Sequence, residues 1–190
     1  MKLNDFAKDV HENAVAHGWW ETDRSFAECI VLIHSEWSEA LEEARAGRPL
    51  VWYDKRLIQA VPTITVPKPE GIAVELMDGV IRILDLHGKY GESFDSGTVR
   101  SLSARINREY TGLKKDMSLA DALAWIHYLT SLAWNSFQIT GDRNLALPLL
   151  EVSAGIAIWW VQQQGLDPEK LLREKHQYNK TRPYKHGKKF

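Results

Sequence analysis

The chain has 190 residues, with 24 lysines and arginines against 25 aspartates and glutamates and a formal net charge of −1. That length suits one domain with ample core, and a composition 44% hydrophobic and 26% charged excludes a disordered chain. The near-neutral balance excludes a whole-surface nucleic-acid binder, and the single cysteine, Cys29, excludes an internal disulfide framework or a Cys-rich metal centre and fits a reducing, cytoplasmic setting.

The N-terminal stretch MKLNDFAKDVHEN is charged throughout and has no apolar signal core. Its pattern predicts a first helix over 3–17. From 26 to 44, Phe26, Ile30, Ile33, Trp37, Leu41 and Ala44 recur at the spacing of one helix face. Ser25 and Glu28 form a capping box at its start, and Gly47 and Pro49 mark its end. Residues 49–69 read as a long loop, with VPTITV at 61–66 as an extended segment or short hairpin arm. A second long helix is expected over 71–86, stopped by Gly88 and Gly91, then a short one over 98–110. Ser118 opens a helix to about 137, and another is expected over 145–164. The run 145–161 is the longest apolar stretch, and Pro148 and Glu151 interrupt it, so no membrane span is expected. Asp167 followed by Pro168 is an N-cap with proline at the first helical position, opening a final helix. The fold class is therefore all-α, an antiparallel helix bundle in one domain over 1–190.

Two stretches echo each other. Ser25–His34 aligns with Ser118–His127, and Glu75-Leu-Met-Asp78-Gly79 aligns with Glu151-Val-Ser-Ala154-Gly155. The chain thus reads as a duplicated helix pair: an acid-bearing copy over 25–91, a degenerate copy over 118–166, and a C-terminal basic helix and tail over 167–190. In the second copy Glu36 and Glu39 become Leu129 and Leu132, and Asp78 becomes Ala154. A merely solvated acidic face has no reason to turn apolar. His34 persists as His127 where the acids do not, which favours a structural role for it.

Glu36 and Glu39 are three residues apart, as are Glu75 and Asp78, so each pair shares a helix face. The neighbours of Glu75 and Asp78 are almost all apolar, which predicts a buried helix whose acids need partners. Two facing helices with two acids each make an oxygen-only, strongly negative pocket. That donor set suits a hard divalent cation, Mg²⁺ with Mn²⁺ as a substitute, and such ions keep positions open for substrate phosphates. Glu-x-x-His, needed for a di-iron bundle, is absent from the sequence. So are a Walker-A loop, a GxGxxG loop and a nucleophile elbow. The closing segment is rich in Lys175, Lys180, Arg182, Lys185, Lys188 and Lys189; Lys175 and Asn179 share a helix face, and Arg182 can fork onto phosphate oxygens. Among the eight tryptophans, Trp37 lies on an apolar face and reads as core, whereas Trp52 and Tyr53 sit in the long loop.

An acidic pocket with a basic arm is the combination a nucleoside triphosphate requires. Glu36-Trp-Ser-Glu39 followed by Glu75-Leu-Met-Asp78 resembles the ExxE…ExxD signature of MazG-like, all-α nucleoside triphosphate pyrophosphohydrolases. The closing Lys175…Asn179-Lys180-Thr-Arg182-Pro-Tyr-Lys-His186-Gly is similar to the C-terminal segment of their bacterial and phage members. The gap between the acid pairs is longer than is usual in that family. A duplicated chain with one degenerate copy also resembles the single-chain, dUTPase-like branch.

The resemblance implies hydrolysis of (d)NTP to (d)NMP and pyrophosphate by attack at the α–β linkage. It implies Glu36, Glu39, Glu75 and Asp78 as metal ligands, with Glu36 or Glu39 orienting the attacking water. Lys175, Asn179, Lys180 and Arg182 then hold phosphate oxygens, and Asp85 serves as partner of Arg82 or as a contact to sugar or base. Trp52 and Tyr53 are offered for stacking on the base. The implied partners are a nucleoside triphosphate and further copies of the chain, as homodimer or homotetramer, with no nucleic-acid polymer and no membrane. Two competing readings are a bundle that binds nucleotide or metal without turnover, and a structural helical interaction module.

Overall fold

A computed structural model describes residues 1–60, 64–91, 93–94, 97–109 and 117–187. The described chain is mostly helical: α1 (Leu3–Ala16), α2 (Phe26–Arg45), a short α3 (Arg56–Ala60), α4 (Ile72–Tyr90), α5 (Val99–Glu109), α6 (Leu119–Thr140), α7 (Arg143–Gln163) and α8 (Pro168–Thr181). A 3₁₀ turn, Tyr184–Gly187, follows α8. The small sheet is one antiparallel ribbon of β1 (Trp52–Asp54) and β2 (Lys68–Glu70), with Tyr53 opposite Pro69.

Local chemistry sets the helix starts. Ser25 accepts from the Glu28 amide while the Glu28 carboxylate accepts from the Ser25 amide, a complete capping box. Ser118 caps α6 through the Asp121 amide, and Asp167 caps α8 ahead of Pro168. Pro148 lies in the second turn of α7 without interrupting it. The carbonyl it deprives of a partner belongs to exposed Asn144. The helix is long and apolar enough to cross a membrane, yet most of it is buried inside this bundle.

The core is organised around α4, which packs against α1, α2, α7 and α8. The turn between α6 and α7 is so short that the two run antiparallel as a hairpin, and α5 lies on α7. Helix α2 also meets α6. There, Trp37, fully buried, donates from Nε1 to Thr130 Oγ1 at 3.2 Å, and that hydroxyl in turn donates to the Ile126 carbonyl and contacts Ser153 Oγ. One turn away, the His34 and His127 rings are parallel within 6°, with Nδ1 atoms 2.8 Å apart and centroids 5.0 Å apart. The rings therefore meet edge to edge through one N–H···N hydrogen bond, which requires one to donate and the other to accept.

Three expectations are corrected. Gly88 lies inside α4 rather than stopping it, and the helix ends at Gly91 in the left-handed conformation. A Cβ at Gly88 would stand 2.5 Å from His11 Cβ and 2.6 Å from the Ala7 carbonyl oxygen, so the glycine lets α1 approach α4. The ribbon strands flank VPTITV instead of containing it: residues 64–67 are unpaired, and residues 61–63, like Tyr110, Lys188 and Lys189, lie outside the described residues. Helix α6 runs to Thr140, one turn beyond the expected 137.

Gly79 supplies the second close approach. A Cβ there would stand 2.2 Å from Cζ3 of Trp37, whose indole is pinned by Thr130. Gly79→Ala should therefore lower stability by about 1–3 kcal/mol despite alanine's better helix propensity. Urea unfolding of the two proteins checks this, and an unchanged midpoint contradicts it.

Candidate functional site

The carboxylates converge where α2, α4, α8 and β2 meet. Glu36 comes from α2, and Glu75 and Asp78 from α4, where Glu75 sits in the first turn. One oxygen from each lies within 4.8 Å of the others, and Glu36 and Glu75 are buried. They line a cleft of about 120 Å³ that also presents Glu39, Lys68, Lys175 and Arg182. Such a concentration of buried acid is stable only with cations against it. Arg82 donates to Glu36 Oε1 from Nε at 3.0 Å and reaches the same oxygen with Nη2 at 2.9 Å. Lys175 places its ammonium 2.9 Å from Asp78 Oδ2 and 3.7 Å from Glu75 Oε1.

The protonation states follow from this packing. Burial pushes the Glu36 carboxyl up, with Arg82 opposing and Asp78 and Glu39 adding to the rise. Burial drives Glu75 up to about 9 against the pull of Lys175, and a hydrogen bond with Glu70 on β2 works in the same direction as burial. Glu75 therefore holds a proton at neutral pH when no other cation is present. Burial acts on Asp78 too, but the charge and hydrogen bond of Lys175 outweigh it and hold Asp78 below the ordinary carboxylate value. Burial likewise fails to neutralise Lys175, whose pKa is raised by Asp78 and Glu75. The resting cleft is thus an ionised Asp78–Lys175 pair beside a neutral Glu75 and an Arg82-bound Glu36.

The predicted site residues divide into those that meet here and those that do not. Glu36, Glu75, Asp78, Lys175 and Arg182 share the cleft. Glu39 lines it too, but it is exposed, accepts from Ser35 Oγ at 3.3 Å and stands outside the three-carboxylate cluster. Asn179 opens onto an adjoining small cleft with Asp78, Arg82, Asp85 and Arg182, where its buried Oδ1 has no hydrogen-bond partner among the described residues. Asp85 is not paired to Arg82. It accepts from Trp20 Nε1 at 3.0 Å and meets His11 Nδ1 at 2.7 Å, because Arg82 is drawn to Glu36.

Lys180 turns the other way and pairs with Asp9 at 2.8 Å. Trp52 donates to Glu43 and lies beneath Arg48, and Tyr53 donates to Glu174, so neither loop aromatic lines the carboxylate cleft. A larger groove of about 480 Å³ lies along α8 where Tyr53 and Lys180 point. Its acids, Asp9 and Glu174, are engaged by Lys180 and Tyr53 and do not cluster. The chemistry therefore assigns the site to the smaller cleft.

Sequence reasoning missed Lys68 and Glu70, which enter through β2, and Trp19 and Arg24, which line the cleft from the α1–α2 connection. None of the four carries a spacing signal; Arg24 is placed by the Trp19 ring, 4.9 Å from its guanidinium carbon. The donor set is hard, oxygen-only and anionic, and an orphaned amide oxygen lies beside it, so these residues fit a hard divalent cation and a polar ligand. A scan of protein-family models and searches of curated proteins and solved structures return no match to this chain.

The Glu75 shift makes a stability prediction. An unfolded glutamate releases its proton near 4.5, whereas folded Glu75 keeps it to about 9. The Glu75 contribution is complete below the lower value and is lost as pH rises toward the upper one. In EDTA, Glu75→Gln should gain stability relative to wild type between pH 5 and pH 9. Thermal unfolding across that range tests it, and a constant difference between the two proteins contradicts it.

Proposed function

We propose that the protein is a MazG-like, Mg²⁺-dependent nucleoside triphosphate pyrophosphohydrolase built from a duplicated helix pair, one copy of which has lost three of its four acids. The observation that carries this reading is the convergence of Glu36, Glu75 and Asp78 with Lys175 and Arg182 in one cleft. Three acids call for a cation, and the cations around them call for an anionic substrate; a metal-bound triphosphate satisfies both. The spacing Glu36-x-x-Glu39 and Glu75-x-x-Asp78, carried over from the family resemblance, supports the same chemistry.

The duplication is supported by the α2–α6 seam. His34 meets His127 and Trp37 meets Thr130, each pair separated by the same 93 positions, as expected across a pseudo-two-fold axis. The second copy retains one acid, Glu151, at the place of Glu75. It is buried, with Arg105 of α5 at 3.8 Å, so it is spent within the bundle.

Glu36, Glu75 and Asp78 would hold the cation, with Glu39 at the rim. When bound, the cation supplies charge neutralisation on the phosphates and acidifies a water. The chain's own residues do the rest. Arg82 fixes the Glu36 carboxylate. Glu39 reaches solvent and can orient the attacking water. Arg182 and Lys175 hold phosphate oxygens and stabilise the charge that builds on the pyrophosphate leaving group. Asn179 and Asp85 border the adjoining cleft, where the sugar or base would lie; Lys180, Trp52 and Tyr53 have no part there.

The test is pyrophosphate release from a panel of dNTPs and NTPs, with Mg²⁺ and with EDTA. Metal-dependent pyrophosphate with a matching monophosphate is expected. Glu36→Gln and Asp78→Asn should each lower kcat by about 10²-fold or more with helical circular dichroism unchanged, and Arg182→Ala should mainly raise KM. Full activity in either carboxamide variant contradicts the site. Silence on every nucleotide while the folded protein still binds Mg²⁺ favours a bundle that binds without turnover.

A further inference from the structure

A cation already stands among the carboxylates, and it belongs to the chain. Lys175 is 1% exposed, and its ammonium touches Asp78 Oδ2, Glu75 Oε1 and, at 3.4 Å, the Pro69 carbonyl oxygen on β2. Glu75 and Asp78 are also two of the three acids whose oxygens form the cation cage. An ammonium and a divalent cation compete for those lone pairs and repel each other at such range. We infer that Lys175 is an exchangeable internal counter-ion: it balances the carboxylates whenever no divalent cation is bound, and it must leave Asp78 and Glu75 for a divalent cation to bind.

The tether decides where the ammonium goes. Lys175 is anchored on α8, which carries Asn179 one turn on and leads directly into Arg182. Arg182 and Lys68 line the same cleft. The released ammonium has its four-carbon stem within which to turn toward them, and there it adds positive charge beside the cage. Cation entry and completion of the anion-binding wall are then one event. Without the divalent cation, Lys175 is spent on Asp78, and the wall lacks one of its charges. The contact with Pro69 is broken in the same step, so β2 loses a tie to α8 as the cleft fills. This inference rests on the cation-binding part of the function proposed above, and adds to it the regulation of when the anion site forms.

The test uses the full chain without nucleotide. Mn²⁺ binding is followed by electron paramagnetic resonance for wild type and for Lys175→Met, which keeps an unbranched stem and removes the ammonium and its charge. The variant should bind Mn²⁺ about tenfold or more tightly, because no ammonium has to be displaced. Equal or weaker binding by the variant overturns the inference while leaving the cation site standing. Absence of binding in both proteins overturns the inference and the cation site together. Should the variant fail to fold without metal, wild type alone decides: in ¹⁵N-lysine NMR the buried ammonium signal seen in EDTA should shift or vanish on saturation with Mg²⁺. An unmoved signal in a Mg²⁺-saturated protein overturns the inference. Neither readout contains a nucleotide, so failure of pyrophosphate release is distinguished from failure of the exchange.

Discussion

A helix surrounded by other helices can carry carboxylates only if each one meets a cation or a donor. α4 is that helix, and the rest of the structure answers to it. Its N-terminal acids draw Lys175 in from α8, its Arg82 draws Glu36 across from α2, and its Asp85 is met by His11 and Trp20 from the α1 side. Helices α2 and α8 and the α1 side, which pack on α4, thus also bring polar side chains to its acidic stripe. Removing one partner from such a buried pair typically costs about 3–5 kcal/mol, whereas replacing the whole arrangement by apolar residues is often harmless. Stability therefore does not explain why these acids are present. Under the duplication proposed above, Leu129 and Ala154 stand at the places of Glu36 and Asp78, and both are buried.

Much of this was legible in the sequence, for physical reasons that hold locally. The capping box at Ser25 and Glu28, the Asp167-Pro168 start and the apolar face of α2 depend on neighbours within one or two turns. The acids at 75 and 78 stood out because they lie on a helix that is otherwise apolar. What could not be read depends on distant azimuths and approaches. Whether Glu39 joins Glu36 depends on how α2 is rotated against α4, and the structure turns Glu39 outward. Gly88 resembles a helix stop until α1 is seen lying against it. The ribbon pairs Trp52–Asp54 with Lys68–Glu70 across an intervening loop, so the strand-like composition of VPTITV pointed between the true arms. From the sequence Lys175 belongs with the phosphate-holding residues, and nothing local reveals that it rests on Asp78.

The β1–β2 ribbon and α8 together decide which cavities the chain presents. β2 faces the carboxylate cleft with Lys68 and presents Pro69 to the larger groove, while α8 sends Lys175, and its C-cap Arg182, to one flank and Lys180 to the other. Among the described basic residues of the C-terminal segment, Lys175 and Arg182 reach the cleft, whereas Lys180 pairs with Asp9 of α1, Lys185 with Glu21, and Lys170 and Arg173 with acids of α8. The larger groove has the greater volume, and the smaller cleft has the opposed, desolvated charges that chemistry requires.

The most direct measurement of the central claim is anomalous diffraction from crystals of the protein soaked in Mn²⁺. The account predicts a peak bounded by Glu36, Glu75 and Asp78, with the Lys175 ammonium moved away from Asp78. A fully occupied Mn²⁺ elsewhere on the chain, with Lys175 still seated on Asp78, would contradict it.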